Sequence, residues 1–212
     1  VDVTLAPEVI KEDQKIYSEE ERNRISQLAF PKHIAIIMDG NRRWAKKQRL
    51  PLMAGHWKGA ETLTSIVRAA GELGVKVLTV FAFSTENWKR PPVEVNSLMR
   101  LFKAHLIKQR DVMIEGGVRL NVIGDVSRFP KDVRKTLDET IRATASGTQM
   151  DLVIALNYGG RDEITRVTRK IVDDCLSRKL SKKAVTEELI SSYLDTGKWS
   201  DPDLLIRPSG ES

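Results

Sequence analysis

At 212 residues, 41% of them apolar and 30% charged, the chain has the length of one domain able to bury a sizeable core. Its 35 basic and 29 acidic side chains leave a net charge of +6, and Arg42, Arg43, Lys46, Lys47 and Arg49 crowd together without an acid among them, which implies an anionic partner. The single cysteine, Cys175, excludes an internal disulfide framework and a cysteine-cluster zinc site; an acidic, polar N-terminus and no run of about 18 apolar residues exclude a secretory leader and a membrane span, so a soluble, intracellular protein is expected.

Residues 1–30 mix charges with sparse apolar positions (Val9, Ile10, Ile16, Ile25, Leu28), the pattern of a weakly amphipathic helix or arm laid on a domain spanning 31–212. Ile34 to Met38 is a continuous apolar run between Pro31 and a polar turn, which predicts a buried strand of a parallel sheet. It ends in Asp39-Gly40-Asn41-Arg42-Arg43-Trp44, and the stretch from Asn41 to Gln48 lacks Gly and Pro and favours helix. Such a strand-to-helix switch offers unpaired N–H groups and a positive dipole end to an anion. Beyond Pro51 and Gly55, Leu63, Ile66, Val67 and Ala70 fall at helical spacing and Gly74 is a stop signal, with His56 at the loop-to-helix join.

Val75 to Phe83, rich in β-branched and aromatic residues, predicts a second strand that ends in Ser84-Thr85-Glu86-Asn87-Trp88-Lys89-Arg90-Pro91-Pro92. The two prolines and Glu94 suit a helix start, and that helix runs to Glu115 before Gly116-Gly117. Its apolar positions, among them Val95, Leu98, Met99, Leu101, Phe102, Leu106, Ile107, Val112 and Met113, exceed one narrow stripe. Two accounts fit: a helix buried on two sides of the core, or a wall of an apolar ligand cavity. Val118 to Ile123 is a third strand closed by Gly124-Asp125, residues 130–145 a surface helix, and Met150 to Leu156 a fourth strand leading into Asn157-Tyr158-Gly159-Gly160-Arg161. Helices at about 161–178 and 182–194 follow; Cys175 on the first reads as an inert, half-buried thiol. Asp203 to Ile206 is a short fifth strand that ends in Arg207-Pro208-Ser209-Gly210-Glu211.

Strands alternating with helices predict an α/β fold, a central and predominantly parallel sheet flanked by helices. Ligands bind such sheets beyond the carboxyl ends of the strands, so the clusters at Asp39, Ser84, Gly159 and Arg207 are expected to converge on one rim. Asp39 has two readings, a Mg²⁺ ligand acting with phosphate oxygens or an N-cap for the next helix. Arg43 and Arg207 offer planar forks that match phosphate, Arg42 is a phosphate ligand or a surface cation, and His56 is an anion donor or a structural histidine. Trp44 and Trp88 suit apolar substrate or a guanidinium. Single-stranded nucleic acid is disfavoured, because the basic residues gather at one helix start and aromatics make up only 6%. Neither Gly-x-x-x-x-Gly-Lys-Ser/Thr nor Gly-x-Gly-x-x-Gly occurs, so a nucleotide cofactor is unsupported.

Five ordered blocks, Asp39 to Ala45 with Gly55-His56, Phe83 to Pro91, Ile123 to Asp125, Asn157 to Arg161 and Asp203 to Glu211, resemble the signature blocks of the cis-prenyltransferases of the undecaprenyl diphosphate synthase type, over residue 32 to the end. The resemblance implies a homodimer of single α/β domains with an apolar tunnel. It also implies a Mg²⁺-dependent enzyme that condenses isopentenyl diphosphate onto farnesyl or a similar allylic diphosphate, making Z double bonds. The product would be a long polyprenyl diphosphate, a lipid carrier for cell-wall glycans, made in the cytoplasm with peripheral membrane contact on release. By the same resemblance Asp39 is the essential carboxylate and metal ligand. Gly40, Asn41, Arg42, Arg43 and His56 hold the allylic diphosphate. Trp44, Ser84, Thr85, Glu86, Trp88 and Arg90 order the reacting ends, and Arg207 binds isopentenyl diphosphate. Asn87 matches a position treated as a proton acceptor, but an amide is a poor base at neutral pH, so a positioning or relay role is the better reading. Met150 falls where a large side chain closes the tunnel floor.

The chain departs from the family pattern at Leu52, where an arginine is usual, and at Arg42, where many bacterial relatives carry glycine. The family pattern also continues, past the Arg-Pro-Ser-Gly-Glu block, into a second basic block and an acidic metal ligand, whereas this sequence stops at Ser212. Two rivals follow from the residues: a phosphohydrolase with Asp39 as nucleophile, against which Asn41 stands where a second aspartate is usual, and a non-catalytic prenyltransferase subunit, against which Asp39 itself stands.

Overall fold

The computed structural model describes residues 16–27 and 30–208. Five strands, β1 (His33–Ile37), β2 (Val77–Ser84), β3 (Val118–Ile123), β4 (Met150–Tyr158) and β5 (Leu204–Ile206), form one sheet in the order β3-β4-β2-β1-β5, with every pairing parallel. Helix α1 (Glu19–Ser26) precedes the sheet, and the all-parallel arrangement follows from the helices that separate the strands: α2 (Asn41–Lys47), α3 (Leu52–Glu72), α4 (Pro92–Glu115), α5 (Lys131–Ala143), α6 (Gly160–Leu176) and α7 (Glu187–Tyr193). The expected α/β fold with a parallel sheet is therefore what the chain adopts.

The middle of the sheet is buried on both faces, as its apolar strands require, while the edge strand β5 is exposed. Leu152, Ile154 and Leu156 of β4 face the larger core, shared with Val95, Met99 and Leu106 of α4 and Val133 and Leu137 of α5. The alternate residues Val153 and Ala155 face a smaller cluster with Ile123, Phe81, Tyr158 and Trp199. Burial on this scale, at about 25 cal/mol per Å² of apolar surface, dominates the stability of a fold.

Hydrogen bonds at the start of β1 dock the short β5. Asp203 accepts from the Lys32 and His33 N–H groups at 2.7 and 2.9 Å and returns its own N–H to the His33 carbonyl at 2.8 Å. The buried His33 ring lies 2.6 Å from the Ser200 carbonyl and 2.8 Å from the Thr79 hydroxyl. This latch holds Arg207, three residues beyond Leu204, beside the carboxyl end of β1.

Several features differ from expectation. Gly55 and His56 lie inside α3, which starts at Leu52 behind Pro51; Gly55 is a packing residue and not a breaker. The helix expected at 182–194 is α7 alone, preceded by a 3-10 turn, because Ser181 and Thr186 each cap a separate start. Met150 is buried in the larger core, and it lines neither cavity described below. The N-terminal helix exists as α1, started by a Ser18/Glu21 capping box, while Val9, Ile10, Leu28 and Ser209-Gly210-Glu211 lie outside the described residues. Cys175 is a free, half-buried thiol as expected, and among the described residues no helix is long and apolar enough to cross a membrane.

Candidate active site

The carboxyl ends of β1, β2 and β5 open onto a cavity of about 680 Å³ that runs down between the sheet and helices α3 and α4. Its mouth is lined by Asp39, Gly40, Asn41, Arg42, Arg43, His56, Ser84, Asn87, Arg90, Tyr158 and Arg207. Its depth is apolar, with Leu63 of α3, Phe81 and Phe83 of β2, and Leu98, Phe102 and Leu106 of α4 on the wall. The helix with too many apolar positions is thus in large part a cavity wall. Around the register shifts of β2 near Phe83, the four consecutive residues Phe81, Ala82, Phe83 and Ser84 all contribute to the cavity lining, as irregular strand ends near sites commonly do.

Gly40 makes the turn out of β1 possible: its φ of 93° is left-handed backbone, open to glycine without steric cost. It is also the N-cap of α2, so the capping reading of Asp39 does not hold. Helix α2 is pressed onto α3 because Gly55 and Gly59 carry no side chains there. A Cβ at Gly55 would collide with the Asn41 carbonyl, and one at Gly59 would stand 2.5 Å from the Asn41 amide nitrogen. Two glycines one turn apart therefore set the depth at which Asn41, Arg42 and Arg43 meet the cavity.

Two carboxylates organise the mouth. Asp39 accepts from the Gly40 N–H at 2.6 Å, from Arg207 Nη2 and Nε at 3.0 and 3.2 Å, and lies 3.2 Å from Arg43 Nη2. Partial burial raises its pKa, but the Arg207 and Gly40 hydrogen bonds and the charges of Arg43 and Arg207 outweigh this and hold the carboxyl below the usual range. Glu94, in the first turn of α4, is the more buried, its side chain 9% exposed. Its Oε1 lies 3.1 Å from Arg90 Nη1, 3.6 Å from His56 Nε2 and 3.8 Å from Arg42 Nε. His56 Nε2 is buried without a hydrogen bond among the described residues. Burial, then the Arg90 charge, lowers the His56 pKa; Glu94 opposes this and Arg42 adds to it, so the imidazole is neutral at pH 7.

Asn87 lies in the 3-10 turn Thr85–Lys89 and spends its carbonyl oxygen on the Ser84 N–H at 3.1 Å. What remains to face the cavity is the NH₂ group, a donor and not a proton acceptor. Trp44, Thr85, Glu86 and Trp88 do not line the cavity. Trp88 is held below the rim by its Nε1–H bond to Asn157 Oδ1 at 2.7 Å, by edge contacts with Phe83 and Phe129, and by Arg128 over its face at 4.5 Å. Trp44 is exposed on α2, and Thr85 packs against Gly159, where a Cβ would stand 2.6 Å from its hydroxyl. Leu52 is exposed at the start of α3 and lies outside the lining.

In the sequence Glu94 reads only as a helix-start acid. The missed signal was the i, i+4 spacing from Arg90, which pairs the two across the first turn.

A mouth of guanidiniums and carboxylates over an apolar shaft suits a molecule with an anionic head and a hydrocarbon tail. A family profile described as "Putative undecaprenyl diphosphate synthase" matches residues 37–212. The chain is 50% identical over 183 residues to the isoprenyl transferase of Agrobacterium fabrum, covering 86% of this chain and 74% of that protein. It is 49% identical over 182 residues to that of Clostridium perfringens, covering 86% and 72%. Among solved structures it resembles lavandulyl diphosphate synthase from Lavandula x intermedia in complex with dimethylallyl diphosphate, with a TM-score of 0.82, 32% identity and coverage of 86% and 79%. It also resembles a probable undecaprenyl diphosphate synthase from Campylobacter jejuni, with a TM-score of 0.67, 30% identity and coverage of 85% and 76%. The chain belongs to the undecaprenyl diphosphate synthase family of isoprenyl transferases.

Proposed function

We propose that the protein extends an allylic diphosphate, farnesyl diphosphate or a close analogue, by repeated addition of isopentenyl diphosphate to give a long Z-polyprenyl diphosphate that serves as a lipid carrier for cell-wall glycans. The observation that carries this reading is one cavity with cations at its mouth and a largely apolar depth. In each cycle the isopentenyl double bond forms a new C–C bond to the allylic carbon, the allylic C–O bond breaks, diphosphate leaves, and the isopentenyl unit loses a proton.

Arg43, Arg42, Asn41 and His56 hold the allylic diphosphate, and Arg207 holds the isopentenyl diphosphate from across Asp39. Planar guanidinium forks stabilise the charge that develops on the leaving group. Asn87 and Ser84 orient the reacting end from the opposite lip, Arg90 anchors Glu94 beneath it, and the apolar shaft keeps water from the cationic carbon. The donor set fits Mg²⁺, which takes one or two carboxylates and completes its shell with phosphate oxygens and water. Asp39 is the carboxylate that would hold the ion, since its bonds are to half-exposed arginines at the mouth, 55% and 48% exposed. When bound, Mg²⁺ supplies positive charge to the departing diphosphate. The same reading includes assembly as a homodimer.

The test is incubation of the purified protein with labelled isopentenyl diphosphate, farnesyl diphosphate and Mg²⁺. Label in extended polyprenyl products that depends on both primer and metal is the expected result. Release of inorganic phosphate without elongation would replace this reading with the phosphohydrolase.

A further inference from the structure

The first cavity does not end the hollow between α3 and α4. A second, of about 460 Å³, continues away from the rim toward Met113, Val118 and Leu152. The two have Leu63, His105, Leu106 and Ile154 in common, so this ring is the waist between an upper and a lower chamber. Three of its members are aliphatic. The fourth is an imidazole, and its Nε2 lies 3.5 Å from the Thr64 hydroxyl, which reaches it from α3. Thr64 lines the lower chamber, and its hydroxyl also donates to the Ala60 carbonyl at 3.4 Å. Burial, reinforced by Lys108 and opposed by Glu61, keeps the ring neutral.

A hydrocarbon tail moving down this apolar wall of leucines and phenylalanines meets no polar group that it must strand. At the waist it must part the imidazole from the hydroxyl; the hydroxyl keeps the Ala60 carbonyl, but the imidazole Nε2 gains no partner from the tail. The cost falls on one step of elongation, the one at which the tail first reaches His105. Resting on the elongation activity proposed above, we infer that His105 is a specificity-determining residue: with Thr64 it forms a polar waist that checks the growing chain in the upper chamber and so limits product length. The upper chamber holds about three-fifths of the combined volume, so the check falls well before the hollow is filled.

The experiment compares products made from labelled isopentenyl diphosphate and farnesyl diphosphate, separated by length after removal of the diphosphate. His105→Ala opens the waist, His105→Leu keeps its bulk and removes its polarity, and His105→Trp closes it. The most abundant product is expected to lengthen by at least one isoprene unit in His105→Ala and His105→Leu and to shorten in His105→Trp. Arg100→Trp, on the exposed face of α4 and outside both cavities, is expected to leave it unchanged. If circular dichroism shows that the tryptophan variant does not fold, the alanine and leucine variants decide the matter. Products of wild-type length from both His105→Ala and His105→Leu, or from His105→Leu alone, overturn the polar waist. Absence of any labelled product from the wild-type protein overturns the elongation reading itself, a different failure that the same assay separates.

Discussion

Asp39 lines the cavity mouth and Glu94 stands behind it against the lining residues Arg42, His56 and Arg90, each among cations, and they are built for different work. Asp39 comes from the end of a strand, its side chain is 29% exposed, and its arginines arrive from two elements with half their surface in solvent. Glu94 comes from the first turn of a helix, is 9% exposed, and draws in Arg90 and His56, 25% and 11% exposed. Pairs at the surface are weak and exchange readily; buried pairs are costly to break and hold geometry. On this contrast we propose Asp39 as the carboxylate that trades its partners for substrate and metal, and Glu94 as the positioning residue that keeps the cationic wall in place.

Removing one charge at a time is the way to break that contrast. Asp39→Asn preserves shape, and kcat for elongation is expected to fall on the order of 10²- to 10³-fold, with the melting temperature nearly unchanged; assays of labelled product and a thermal melt read both. Glu94→Gln is expected to show the reverse pattern. Loss of the buried carboxylate, discounted for the exposure of Arg42, costs about 1–3 kcal/mol and lowers Tm by about 5 °C, with a fall in kcat of no more than about tenfold. Equal Tm losses in the two variants would erase the distinction.

A smaller effect belongs to His56. Because its folded-state pKa is depressed, the unfolded chain takes up the proton first as pH falls through about 6.5. Stability therefore falls with pH below that point, and His56→Gln should flatten the slope of Tm against pH between about 6.5 and 5. His105, depressed by the same cause of burial, leaves a residual slope. Smallest of all is Leu52→Arg. An added, exposed cation at the start of α3 is expected to lower KM for the allylic substrate roughly two- to five-fold, and an unchanged KM would show that Arg42 already fills that need.

What could be read from the sequence was local. Strand β3 has the bounds that its apolar pattern predicts, and α4 ends at Glu115 before Gly116 and Gly117 as expected. Gly74, with φ 79°, closes α3 as a stop signal should. The rim was legible too, because carboxyl ends of parallel strands must gather on one edge, and ten of the fourteen residues expected at the site line one cavity. What was not legible needed distance in space. Gly55 looks like a breaker until Asn41 lies against it. Glu94 looks like a dipole partner until α3 brings His56 within 3.6 Å. His105 interrupts an apolar helix without a pattern of its own, and only the junction of two cavities gives it a place. Trp88, expected beside the reacting ends, is claimed by Asn157 and Phe83, partners 69 and five residues away.

The exchangeable carboxylate is tested most directly by titrating a non-reactive allylic diphosphate analogue into wild-type and Asp39→Asn protein, each with and without Mg²⁺. Tighter binding with Mg²⁺ in the wild type, and no such gain in Asp39→Asn, is the predicted result. An equal gain from Mg²⁺ in both proteins would contradict the assignment of Asp39 as the residue that meets the metal and the leaving diphosphate.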